Sequence, residues 1–330
     1  MVEPPPAPHA PEVRVDVHPR PPTRRAEEPQ GWQPSNLVLR CLTAVLLVPP
    51  VLWVCWVGGL PYVLGVVLFS VLGINEFYGF ISAKGGRPNR WLGAIAVALL
   101  PLIVYYGDPF LATNFLTAVL LTVMVLQLAK REIREAMISV SATFFGVFYV
   151  GWLLSHAISV RFISSHLERR YAGAPGLGFS EDLGIFFMIF CLAAAVVSDS
   201  GAFFAGRRYG RHKLMPMISP NKTVEGAVGG ILSGALACLA VKLVFDHLIA
   251  GDLARDLSYV RAIVFGVILS VASILGDLVE SLLKRDAELK DAGVLLPGVG
   301  GVLDRVDSAL LAIPVMYYLL LAHYYSLYGA

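Results

Sequence analysis

The chain of 330 residues is 56% hydrophobic and 15% charged, with a net charge of +2 and a mean hydropathy of +0.68. It is too apolar for an ordinary soluble domain and has several windows long enough to cross a bilayer, so it reads as an all-α polytopic membrane protein. Cys41, Cys55, Cys191 and Cys238 fall in apolar stretches without metal-ligand spacing, which argues against a disulfide framework and a zinc site and makes them small core residues.

Residues 1–35 hold ten of the 21 prolines and lack the apolar core of a signal peptide; they read as a disordered, Pro-rich cytosolic tail. Residues 36–330 then read as one transmembrane domain. Nine apolar spans follow in order, at 37–58, 60–83, 91–107, 110–129, 137–160, 184–206, 224–249, 260–283 and 302–327. Each reaches the roughly 20 residues that a crossing helix needs. Pro49-Pro50 and Pro101 predict kinks in the first and third. With the N-terminus inside, 20 Lys and Arg fall on the inner side and five on the outer, namely Arg161, Arg169, Arg170, Arg255 and Arg261, while Lys242 lies within a span. That bias predicts a cytosolic N-terminus and an outside C-terminus.

Carboxylates inside such spans are expensive, at about 3 kcal/mol each on insertion scales, so they have to be paired, metal-bound or protonated. Glu76, Asp199 and Asp277 each precede an inner-side cation by seven or eight residues, which at about 1.5 Å per residue sets all three about 10–12 Å below the inner end. For Glu76, structural pairing and a site role are equally good readings. Asp277, Ser281 and Lys284 share one helical face, with Glu280 at its edge, and Asp304, Asp307 and Ser308 share another. The short connection 285–303 must bring the two faces together. Such faces suit one or two hard cations bridging to phosphates, with Lys284, Arg285, Lys290 and Arg305 to neutralise the remaining phosphate oxygens. Pro297 to Gly301, including Gly300 and Gly301, adds a candidate phosphate cradle, a weak signal alone. A second constellation runs from Asp199 to Ser219-Pro220-Asn221-Lys222-Thr223: Thr223 or Asn221 can cap the seventh helix, and Lys222 offers a cation at its start. Gly226, Gly229 and Gly230 fit close helix packing better than ligand contact.

These residues resemble the phosphatidate cytidylyltransferase (CDP-diacylglycerol synthase) family of membrane enzymes. The resemblance rests on Ser281, Lys284-Arg285, Lys290-Asp291, Gly293, Leu296-Pro297-Gly298, Gly300-Gly301, Asp304-Arg305 and Asp307, and on Asp199, Ser219-Pro220, Lys222-Thr223 and Glu225-Gly226, together spanning about 195–310. One position departs: Val299 stands where the family pattern has histidine.

The resemblance implies transfer of CMP from CTP to phosphatidic acid, releasing pyrophosphate, at a site facing the cytosol in a bacterial inner membrane. The lipid phosphate is already anionic, so catalysis should rest on alignment and charge neutralisation. In that scheme Asp277 and Asp304 bind Mg²⁺, with room for a second cation, and Asp307 and Ser281 assist. Lys284, Arg285 and Lys222 bind triphosphate or lipid phosphate, and Ser219, Thr223, Asp199, Lys290, Arg305, Gly300 and Gly301 complete substrate binding. The expected partners are CTP, phosphatidic acid and the bilayer, with a homodimer allowed and no nucleic acid. The alternatives are another CTP-dependent lipid enzyme, such as a CDP-archaeol synthase or polyprenol kinase, and an ion-coupled transporter. A transporter should show midplane polar groups and internal repeats, and neither is evident.

Overall fold

The computed structural model describes residues 49–106, 109–130, 136–171, 179–249, 253, 255–289, 292–293 and 300–328. The Pro-rich tail, most of the first span, Cys41, Lys290, Asp291 and Val299 lie outside the described residues. After a helical segment at 49–57 (α1), the chain forms α2 (Gly59–Ala83), α3 (Arg90–Tyr106) and α4 (Pro109–Leu128). α5 (Ala136–Gly146), a π-helical turn at Val147–Trp152 and α6 (Leu153–Arg161) make one continuous rod, followed by short α7 (Ile163–Arg170). The rest comprises α8 (Asp182–Tyr209), strands β1 (Lys213–Met215) and β2 (Ser219–Thr223), α9 (Val224–Val244) with a π-helical end, α10 (Tyr259–Asp286) and α11 (Leu303–Tyr328).

Among the described residues, seven helices are long and apolar enough to cross a membrane; α3, at 17 residues, is shorter. The protein is therefore an all-helical integral membrane protein with one small hairpin at the end of α8. From the second span on, the apolar spans and the helices agree to within a few residues. Two features near residue 161 have no counterpart in the pattern of apolar spans. The segment after residue 161 is not all loop, because α7 occupies its first part. Arg161 does not project into a loop: it is 6% exposed and donates to the carbonyls of Cys55 (2.7 Å) and Trp56 (3.3 Å) at the end of α1. A cation there satisfies carbonyls that a helix C-terminus leaves unpaired.

Close backbone contact sets the arrangement of the second half. A Cβ on Gly229 would collide with Ala205, one on Gly201 with Ser233, and one on Gly226 would stand 2.9 Å from the Ala202 carbonyl oxygen. The glycines thus let α8 and α9 lie against each other, as expected for small residues at membrane helix interfaces. Gly276 does the same for α10 and α11, since its Cβ would lie 2.5 Å from the Asp307 carbonyl oxygen. That crossing puts Asp277 and Asp307 at one level. One apolar core, around Phe186, Phe187, Phe190 and Met316, fills the bundle between α2, α8 and α11. A second, around Ile74, Phe77, Tyr78, Val150 and Leu303, packs α2, α3 and the π turn against the start of α11.

Candidate active site

The hairpin carries the first half of the site. β1 and β2 pair antiparallel, with Lys213 opposite Thr223 and Met215 opposite Ser219, and Pro220 is tolerated because a two-stranded ribbon has only edges. The Thr223 hydroxyl accepts the Gly226 amide at 3.1 Å and caps α9. The backbone amides of Arg211 and His212 donate to the Glu225 carboxylate, which ties the hairpin to the same helix end. So braced, β2 presents Lys222 to Asp277 of α10 at 2.5 Å. Ser281, one turn on, donates to the other Asp277 oxygen at 3.3 Å. The Ser308 hydroxyl of α11 donates to Asp199 of α8 at 3.0 Å, and Asp307 lies within electrostatic reach of both Asp277 and Asp199. An open cleft of about 590 Å³ lies beside this group; Asp199, Lys222, Thr223 and Asp277 line it together with apolar residues that include Phe203 and Ile274.

The second half is drier. Lys284 reaches Asp304 at 2.7 Å and makes a short ion pair with Glu280, a carboxylate with no exposed surface. The other Asp304 oxygen accepts the amides of Ala292 (2.9 Å) and Gly301 (2.8 Å). Gly300, at φ +96°, takes a left-handed turn here, and a Cβ on it would stand 2.7 Å from that oxygen. Asp304 therefore holds the ends of the glycine-rich connection as well as the lysine.

Of the expected residues, Asp199, Lys222, Thr223 and Asp277 line the cleft, Ser281 and Asp307 stand behind it against Asp277, and Lys284, Asp304, Gly300 and Gly301 form the adjoining network. Arg285 leaves both groups and donates to the Ile218 carbonyl of the hairpin turn at 3.3 Å. Ser219 sits at the start of β2, away from the cleft lining, Arg305 is exposed on α11, and Lys290 lies outside the described residues. Glu280 and Ser308 carry more of the network than their place in the sequence pattern suggests. Glu76 has a site role only through the backbone: it accepts the amides of Val302 (2.9 Å) and Leu303 (2.8 Å) at the start of α11. Its position in a polar Asn75-Glu76 pair within an apolar run was the available signal.

Residues 38–323 match the cytidylyltransferase family over most of the chain. The chain belongs to the cytidylyltransferase family. It is 33% identical over 290 residues to a phosphatidate cytidylyltransferase of Brucella suis, covering 86% of this chain and 93% of that one. It is 31% identical over 266 residues to a chloroplastic phosphatidate cytidylyltransferase of Arabidopsis thaliana, where the match spans 76% of this chain and 63% of the plant protein. Against the phosphatidate cytidylyltransferase of Bacillus subtilis it is 41% identical over 140 residues, 42% of this chain and 49% of that one.

Among the described residues of this cytidylyltransferase, no group of three or more His, Cys, Asp or Glu is arranged to hold a metal ion. The donor set nevertheless fits a hard divalent cation of the Mg²⁺ kind, which is commonly held by one or two carboxylates together with water and substrate phosphates rather than by an all-protein cage. Asp277 lines the cleft with the Ser281 hydroxyl at 3.3 Å, and Asp304, in the adjoining network, has Lys284 as its counter-charge.

Proposed function

We propose that the protein transfers the CMP moiety of CTP to phosphatidic acid, forming CDP-diacylglycerol and pyrophosphate. The observation that carries this is the Lys222–Asp277 pair at the wall of an open cleft that Phe203 and Ile274 also line, in a chain of this family. A phosphate oxygen of the lipid attacks the α-phosphorus of CTP, and the bond to the leaving pyrophosphate breaks. No proton has to be removed from an anionic nucleophile, so the residues serve to align and neutralise.

Lys222, poised on a hairpin, exchanges its contact with Asp277 for phosphate oxygens. Asp277 and Asp304 would hold Mg²⁺, which when bound would supply charge neutralisation for the triphosphate. Lys284, the counter-charge of Asp304, would add its ammonium to the phosphates. Ser281 and Ser308 orient Asp277 and Asp199, and the Phe203 and Ile274 side receives the acyl chains. The positive-inside bias supports a cytosolic face for this site, an inside N-terminus and an outside C-terminus, with nine crossings when residues 37–58 are included; the bacterial relatives support the inner membrane.

Purified protein given CTP labelled at the α-phosphate, phosphatidic acid and magnesium is expected to yield labelled CDP-diacylglycerol and unlabelled pyrophosphate. Release of CDP with transfer of the γ-phosphate would instead make it a lipid kinase.

A further inference from the structure

We propose that Glu76 is a positioning residue for the transfer reaction, acting through Asp304; this rests on the reading of Asp304 given above. α11 begins with two amides, those of Val302 and Leu303, that have no helical acceptor, as in any helix start. Both carboxylate oxygens of Glu76, which comes from α2 and the far half of the chain, take one each, at 2.9 and 2.8 Å. A negative group there also meets the positive end of the helix dipole.

The contact is built closely. A Cβ on Gly301 would stand 2.5 Å from one Glu76 oxygen, and a Cβ on Gly293 would stand 2.7 Å from the other. Only residues without a side chain leave room for the carboxylate at both positions. The Ala292 and Gly301 amides, each adjacent to a residue that touches Glu76, then donate to Asp304. Glu76 thus fixes the connection on one side and Asp304 fixes it on the other, and the backbone between them sets where the Asp304 carboxylate points. A displacement of about 1 Å at a reacting group can cost about 100-fold in rate.

Glu76→Gln keeps one acceptor oxygen and turns an NH₂ towards the second amide. In the full-length protein, kcat is expected to fall at least tenfold while KM for CTP stays within threefold, because Lys222 and the cleft are untouched. Amide hydrogen exchange should quicken in peptides covering 292–303 and remain unchanged in α8 and α9. Glu76→Asp keeps the charge and both oxygens with a shorter reach, and is expected to fold and to lose three- to tenfold in kcat. Unchanged kcat in both variants overturns the proposal. So does faster exchange spread evenly over the bundle, which would mean general loosening. If Asp304→Asn keeps full turnover, Asp304 has no part in the chemistry and Glu76 cannot act through it. A wild-type protein that forms no CDP-diacylglycerol instead removes the proposed function, and the exchange pattern still reports whether Glu76 holds the connection.

Discussion

The two ion pairs of the site look alike in composition and differ in surroundings. Lys222 and Asp277 meet at the cleft with about a quarter of each side chain exposed, at 26% and 28%. Lys284, Glu280 and Asp304 are 14%, 0% and 11% exposed. A partly exposed pair whose lysine stands on a small hairpin can exchange its partners for those of a ligand at low cost. A buried triad, with one carboxylate also bonded to two backbone amides, holds helices and a connection in register. Lysine and aspartate occur in both, and the environment decides which group yields to a ligand readily and which also holds the fold together.

The comparison is tested most severely by Lys284→Met. It strands two buried carboxylates, and removing one partner of a buried pair costs about 3–5 kcal/mol. The largest fall in unfolding temperature of any single variant is expected here, with activity lost in parallel. Asp277→Asn should separate the two quantities. Its unfolding temperature should stay near wild type while turnover falls about 10²–10³-fold, the scale for loss of one electrostatic contact to a transition state. Equal loss of stability in the two variants would erase the distinction between the halves. Val299→His is expected to matter less. A histidine acting as a general acid or base contributes about 10²–10⁴-fold, but an anionic lipid phosphate needs no such help, so restoring it should change turnover by less than about tenfold. A 100-fold gain in the CTP assay would show that proton transfer limits the reaction.

The sequence shows most of the bundle and part of the site. Apolar run length placed the helices, so that the predicted 260–283 and 302–327 correspond to Tyr259–Asp286 and Leu303–Tyr328. Helical periodicity put Ser281 beside Asp277, and a hydrogen bond joins them. Which cation meets which carboxylate depends on how α9, α10 and α11 cross, and nothing local in the chain encodes that. Lys222 pairs with Asp277, and Lys284 with Asp304 and Glu280, because Gly276 lets α10 touch α11 and the hairpin folds against α10. The hairpin was illegible because β1 has three residues and β2 contains Pro220, so neither shows strand alternation. α7 was missed because its sequence, Ile-Ser-Ser-His-Leu-Glu-Arg-Arg, lacks an apolar span. An isolated cation at a span end, as Arg161 is, gives no sign of the carbonyls of α1 that it meets.

The smallest effect is expected at a pair that spans the same interface as Glu76, from α2 across to the second half of the chain. Lys84, just past the end of α2, contacts Asp286 at the end of α10 at 2.6 Å, but the two side chains are 47% and 61% exposed. Water competes for both charges there, and holding two long side chains in one geometry offsets much of the attraction, so exposed pairs contribute about 0–1 kcal/mol. Asp286→Asn should therefore shift unfolding by no more than that amount and leave turnover within about twofold, even though Asp286 is only two residues from Lys284. A loss comparable to that of Lys284→Met would mean that the whole end of α10, and not the buried triad, supports the site. A near-silent variant would confine the structural load to the carboxylates that water does not reach.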